Sequence, residues 1–153
     1  KRQVIRGGSS ADTTPRTYAQ RKAWVESHHD PYAVFVTTVP ATDAATEGGE
    51  RIIGFSALSV FYDRAGYDGV TDLAYYIAPE WQGRGAGTFT LARLLDECRN
   101  RHMRKACGII FADNRGSIAL MKHFGFTQFG LMPQAATDST GTMRDMSYWH
   151  LDL

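Results

Sequence analysis

Several things are scarce in this chain, and each scarcity narrows what it can be. Only two of the 153 residues are cysteine, Cys98 and Cys107, and neither has metal-like neighbours. Cys98 fits the apolar face of a helix and Cys107 falls in a strand-like run, so both read as buried thiols in a reducing cytoplasm. The five histidines show no ligand spacing, and no metal site is expected. Charge of one sign is missing too: a formal net charge of +1 gives no reason to expect nucleic acid or a membrane as partner. No apolar run approaches the ~20 residues that span a bilayer, and no signal peptide, repeat or low-complexity segment is visible. What is present is ordinary for a globular protein, with 43% hydrophobic and 22% charged residues. Residues 1–153 therefore read as a single domain.

The most informative stretch runs from Tyr75 to Thr88. A β-type run ending at Ile77 meets Pro79, then a loop with glycines at 83, 85 and 87. Leu91, Leu94, Leu95 and Cys98 follow at the i, i+3, i+4, i+7 spacing of a buried helical face. A strand, a glycine turn and a helix start form a ready anion site, because the first amides of a helix lack intrahelical partners. Glycine lets such a turn take positive φ and lets a phosphate approach the backbone. The loop lacks the Lys-Ser/Thr pair of a Walker A loop and is too short for a dinucleotide fingerprint. Read from its six residues alone, it is equally a glycine-rich turn with no ligand.

The rest of the chain supplies a frame. Gln3–Arg6 reads as a short strand, and Thr17 as the N-cap of a helix over 18–28 with Tyr18, Trp24 and Val25 buried. Residues 32–39 and 51–59 read as a hairpin, joined by a polar connection over 41–50, with Gly54 marking a bulge or close backbone approach. Residues 61–69 form an aromatic and charged loop; 70–77 form a strand, 87–103 the helix, and 105–112 an apolar strand buried on both faces. Asn114 caps a helix over 115–124 that stops at Gly125. Residues 126–132 read as a strand, 134–141 as a polar loop, and 143–153 as the last strand. His28 and His29 read as a frayed helix end, and the three tryptophans as packing residues. Strands alternating with helices after residue 70, behind a hairpin, imply an α/β domain with a mixed sheet and helices on its faces.

Gln82, Gly85 and Gly87 match the Q/R-x-x-G-x-G/A loop of the GNAT acyl-CoA N-acetyltransferases. The run Asn114 to Phe126 resembles the same family's N-x-x-S-x-x-L-…-G-F helix. Within the family the chain looks most like the phosphinothricin and methionine sulfoximine N-acetyltransferase branch. Thr13-Thr14-Pro15-Arg16-Thr17 matches that branch's T-x-P-x-T entry, Arg64 and Tyr67 its Arg-x-x-Tyr, and Asp72 its strand-opening carboxylate. Asp145 and Trp149 loosely match its closing strand. The departures are Ala11 where the branch has an aromatic residue, Met143-Arg144 in place of Trp-His, and Met121 where a Tyr or His acid often stands. The branch's first strand and helix, ahead of the Thr-x-Pro stretch, are not evident.

The resemblance implies a mixed, mainly antiparallel sheet whose central parallel strand pair splays to admit acetyl-CoA. It assigns cofactor binding to Tyr76, Ile77, Gln82, Gly83, Arg84, Gly85, Ala86, Gly87, Thr88, Asn114 and Ser117. The splay would lie between Tyr75-Tyr76-Ile77 and Ile109-Ile110-Phe111. Arg64 and Tyr67 would bind the acceptor, with Arg64 suited to grip a carboxylate or phosphinate bidentately. Alternation places Asp72, Ala74 and Tyr76 on one sheet face. Asp72 is the candidate base, its pKa raised by apolar neighbours; pairing with Arg64 or a backbone amide is the structural alternative. The function implied is acetyl transfer from acetyl-CoA to a small amine, an amino acid or an analogue such as phosphinothricin or methionine sulfoximine. A peptide or protein acetyltransferase and a non-catalytic CoA-binding sensor are the alternatives. Homodimers are common in the branch, and a homodimer is expected here.

Overall fold

The computed structural model describes residues 10–41 and 49–153. The expected strand at Gln3–Arg6 and most of the 41–50 connection lie outside the described residues. Three helices and six strands follow in order: α1 (Tyr18–Glu26), β1 (Ala33–Pro40), β2 (Glu50–Val60), β3 (Val70–Ile77), α2 (Ala86–Asn100), β4 (Lys105–Phe111), α3 (Arg115–His123), β5 (Thr127–Thr137) and β6 (Met143–Asp152). The strands form one sheet in the order β1-β2-β3-β4-β6-β5. Every pairing is antiparallel except the central β3–β4 pair, which α2 connects. A parallel pair needs such a crossover, because its two strands run the same way. None of the helices among the described residues is long and apolar enough to cross a membrane.

The core lies where the periodicity put it. Leu91, Leu94, Leu95 and Cys98 of α2 are all essentially inaccessible and pack with Leu58, Leu73, Ala106, Met121 and Trp149. Each such leucine contributes roughly 1.5–3 kcal/mol by leaving water. Trp149 is buried in this cluster and donates its indole N–H to Ser147 Oγ at 3.0 Å.

The parallel pair is brief. Val70, Thr71 and Asp72 face Lys105, Ala106 and Cys107, and pairing stops there. Beyond that point, Leu73–Ile77 continue against β2, while Gly108–Phe111 continue against β6. The two strands are thus pulled apart by their outer neighbours, opening a seam in the middle of the sheet. Between β1 and β2, Thr37 faces Gly54 but Thr38 faces Ile52, leaving Ile53 as the extra residue of a bulge. A bulge bends and over-twists its strand, here next to the end of β3, where Gly54 faces Ile77. Gly54 also makes a close approach: a Cβ there would lie 2.6 Å from the Tyr76 carbonyl oxygen.

Some expectations are corrected. α1 buries none of its residues; Tyr18 is 83% and Val25 45% exposed. The face these two share also carries Arg21, so it does not turn into the core; Trp24 packs edge-on against Phe55, and the Arg21 guanidinium lies over both rings. His28 is tied rather than frayed, through Nδ1 to the Trp24 carbonyl (2.7 Å) and Nε2 to Ser59 Oγ (2.9 Å). β4 is not buried on both faces throughout, because Ile109 borders the seam and is 38% exposed. β5 runs to Thr137, past the expected loop start at Gln134. It continues pairing with β6 around an irregularity between Met132 and Ala136, where Gln134 takes φ 48° and gives its N–H to Asp145 Oδ1.

Candidate active site

The seam is the wall of a cavity of about 1220 Å³. Its far end is the loop between β3 and α2. There Gln82 Nε2 donates to the Ile77 carbonyl at 3.0 Å, pinning the loop to the strand end. Gly83 and Gly85 take φ of 71° and 84°, a region that L side chains rarely adopt. Gly85 is the N-cap of α2 and offers no side-chain cap. The first helical bond is from Phe89 N–H to the Gly85 carbonyl, at 2.9 Å. The amides of Ala86, Gly87 and Thr88 therefore start the helix without partners among the described residues, at its partially positive end. Gly87 lets this end approach α3: a Cβ there would lie 3.2 Å from Leu120 Cδ1.

Gln82, Gly83, Gly85, Gly87 and Thr88 line the cavity together with Tyr76 and Ile77. Asn114 and Ser117 line it from α3, where Asn114 Oδ1 accepts the Ser117 N–H at 3.1 Å as a helix cap. Arg84 and Ala86 are not in the lining; the Arg84 guanidinium sits 5.7 Å over the Trp81 ring. Arg64 and Tyr67 lie outside the cavity too, on the exposed 61–69 loop, with Arg64 over the Tyr62 ring at 6.0 Å. Met121 is fully buried in the core and takes no part in the lining.

Asp72 sits at the closed end of the seam, the last residue of β3 to face β4. Burial pushes its carboxyl from the ordinary 3.8 up to about 6. Neither Arg64 nor a backbone amide holds it among the described residues, which leaves burial as the sole cause of the shift. Four residues further along β3, on the same face, Tyr76 stacks on Phe55 (5.0 Å between centroids, 25° between planes). Burial raises the Tyr76 hydroxyl pKa, opposed by Ser10 and by the charge of Arg21. Arg21 reaches this face from α1, its guanidinium 5.2 Å over Trp24 and 5.7 Å over Phe55. Ser10 and Ala11 complete the rim.

A diphosphate-sized anion site, a slot between splayed strands and a buried carboxylate with raised pKa thus share one cavity. The groups fit acetyl-CoA: bare amides for the diphosphate and unpaired strand edges for the arm. The model of the Acetyltransferase (GNAT) family matches residues 8–126. The chain belongs to the GNAT acetyltransferase family. As a GNAT enzyme it is an acetyl-CoA-dependent N-acetyltransferase. It is 31% identical to the phosphinothricin N-acetyltransferase of Streptomyces coelicolor, over 78% of this chain and 67% of that one. It is 27% identical to the L-methionine sulfoximine/L-methionine sulfone acetyltransferase of Pseudomonas aeruginosa, over 92% and 77%. Among solved structures, it is similar to the GNAT phosphinothricin acetyltransferase of Sinorhizobium meliloti in complex with AcCoA, with a TM-score of 0.80 and 26% identity over 98% of this chain and 77% of that one.

Several residues in or beside this cavity are not legible in the sequence. Ser10 carries no motif, and its place depends on a loop folding back over β3. Arg21 was visible only as a cation interrupting the apolar face of α1, and nothing local said where that face points. Tyr75 is legible in the sequence only as part of the strand wall, where its ring lines the cavity.

Proposed function

We propose that the acceptor is a small primary amine, an amino acid or an analogue such as phosphinothricin or methionine sulfoximine, and that Asp72 is its base. The observation that carries this reading is the buried Asp72 carboxyl, raised to about 6 with no cationic partner among the described residues, at the seam beside Tyr76. An alkylammonium must lose a proton before it can attack, and a base with pKa near the working pH is best suited to take it. Acetyl-CoA supplies the activated acetyl group as a thioester. The amides at the start of α2, with Gly83, Gly85 and Thr88, hold its diphosphate. Tyr76, Ile77, Asn114 and Ser117 border its arm. Asp72 takes the ammonium proton, directly or through a water.

Two arginines compete for the acceptor's anionic group. Arg64 is the choice implied by resemblance, with Tyr67 beside it. Arg21 has the support of its place over Phe55, which stacks on Tyr76, with Asp12 also facing its guanidinium at 3.5 Å. The names of the relatives support an amino-acid analogue as acceptor, and the exposed Ala11 on the rim supports a peptide amine as the second reading. We place the enzyme in the cytoplasm as a homodimer. The buried free thiols support the first, and the exposed Phe129, Leu131, Met132 and Met143 on the β5–β6 side support the second.

The test is thiol release from acetyl-CoA with a panel of amino acids, their analogues and peptides. Turnover with small amino acids or analogues alone is expected; peptide turnover would favour the second reading, and saturable binding with no turnover a sensor. Asp72→Asn should lower kcat by about 10²–10⁴-fold, and an unchanged rate removes Asp72 as base. Whichever of Arg21→Ala and Arg64→Ala raises KM with kcat preserved identifies the anion-binding arginine.

A further inference from the structure

The sheet face that carries Asp72 also carries Ser59, its direct partner on β2. Opposed residues of an antiparallel pair point the same way, with Cβ atoms about 5 Å apart. The Ser59 hydroxyl is therefore within reach of the Asp72 carboxylate, which no side chain or amide holds among the described residues. Ser59 is engaged elsewhere: its Oγ lies 2.9 Å from Nε2 of His28, just past the end of α1. The other ring nitrogen of His28, Nδ1, lies 2.7 Å from the Trp24 carbonyl oxygen. The Trp24 ring stands edge-on to the imidazole, 4.6 Å between centroids.

A carbonyl oxygen only accepts, so Nδ1 carries a proton and donates it to Trp24. In the neutral ring Nε2 is then an acceptor, and the bond to Ser59 is donated by the hydroxyl. A hydroxyl has a single proton to give. Given to His28, it is withheld from Asp72, although the carboxylate stands opposite. The difference matters, because a donor on the charged form of an acid favours ionisation and makes a weaker base. The other titratable groups that feel the Asp72 charge are Cys107, across the parallel pair, and Tyr76, further along β3; neither donates to it among the described residues. The charges of Arg21 and Asp12 bear on Tyr76 and not on Asp72. We propose that His28, pinned by Trp24, holds the Ser59 hydroxyl away from Asp72, so that the base meets the acceptor's ammonium without a donor of its own. The proposal rests on Asp72 as the base. It makes His28 and Ser59 positioning residues: they act through Asp72 and exchange no proton with the substrate.

The test is the pH dependence of kcat/KM for acetyl transfer between about pH 4 and 8, with thermal melts to show that each variant is folded. Wild type should rise through about 6, and Asp72→Asn should lack that rise. His28→Phe keeps a ring but no acceptor, so Ser59 turns its proton to Asp72. The rise should then move down by about one pH unit, the effect of a hydrogen bond to a charged group. His28→Gln, whose amide oxygen can accept from Ser59, should leave the rise at its wild-type position. Ser59→Ala should leave it there too, and should restore it when combined with His28→Phe. A folded His28→Phe whose rise stays in place overturns the proposal. So does a downward move that persists with Ser59→Ala, which would trace the effect to repacking around Trp24. If His28→Phe does not fold, Ser59→Ala decides: an unmoved rise upholds the proposal, and an upward move overturns it by showing that Ser59 already donates to Asp72. A rise that survives in Asp72→Asn overturns the base assignment together with this inference. One that Asp72→Asn abolishes and His28→Phe leaves in place overturns this inference alone.

Discussion

Asp72 shows how far one residue's surroundings can work against the fold that holds it. Its folded-state pKa of about 6 lies above the ordinary 3.8, so the folded protein binds the proton more tightly than the unfolded chain does. Stability from this group is therefore greatest below about pH 4 and falls as pH rises through about 6, levelling off above it. The difference amounts to roughly 3 kcal/mol at most. Asp72→Asn keeps the volume and removes the charge, so it should be more stable than wild type at pH 8, with the gap closing toward pH 4. Urea melts at the two pH values check this; a variant less stable than wild type at pH 8 would mean that the carboxylate is held by a favourable contact. Activity should show the opposite trend, rising with pH through about 6 as the base loses its proton.

Among the elements, the β2 bulge and the β5–β6 hairpin each rest on a local device. Gly54 allows β2 to lie against β3 at the point where the seam opens. A methyl group there would meet the Tyr76 carbonyl oxygen at 2.6 Å and Ile77 Cδ1 at 2.7 Å, and the first of these is backbone that cannot step aside. Gly54→Ala should cost about 1–3 kcal/mol and weaken CoA binding, because Tyr76 and Ile77 carry the displaced backbone. Denaturant melts and CoA titration measure both effects. The hairpin is held by Asp138, buried despite its charge. Its carboxylate accepts the Thr140 and Thr142 amides and the Nε and Nη2 of Arg144, whose Nη1 reaches Asp113 Oδ2 at 2.6 Å on the cavity rim. These donors, the Thr140 hydroxyl first among them, hold its pKa well below the ordinary range. The stability it supplies is present above about pH 4 and is lost as pH falls further. Asp138→Asn should therefore lower the melting temperature at pH 7, with the loss shrinking below pH 4; a loss that does not change with pH would show that shape, not charge, holds the turn.

For the molecule as a whole, the sheet order governs both stability and access. β3 belongs to the antiparallel half with β1 and β2, β4 to the half with β5 and β6, and three residue pairs join the halves. Cys107 of β4 is part of this junction, facing Asp72, and Cys98 of α2 lies in the core cluster with Leu73 and Ala106 from its two strands; both thiols are buried. Burial pushes them up to about 12 and about 11, Cys107 with help from the Asp72 charge. At pH 8 both should remain protonated and react with a thiol reagent only at the rate of global opening, rising together in denaturant. Immediate labelling of either thiol in native buffer would show that the halves separate locally.

How much of this could be read from the chain depends on the range of the forces involved. The α2 core stripe, the Asn114 cap, the glycine loop and the bounds of β3 are set by contacts within a few residues, and periodicity and capping chemistry expose them. α1 misled because Tyr18 and Val25 supply an apolar pattern but not a surface to bury it against. β5 misled because polar residues at a sheet edge pair as well as apolar ones when β6 lies alongside. The sequence by itself determined that a glycine turn joins a strand to an amphipathic helix and that a carboxylate opens that strand, since each needs only its own neighbours. Only the tertiary structure decided that β3 and β4 part after Asp72, and that Arg21 and Ser10 reach this face while Arg64 stays outside. These follow from which strands pair across the sheet, and pairing joins residues too far apart in the chain for any local pattern to register.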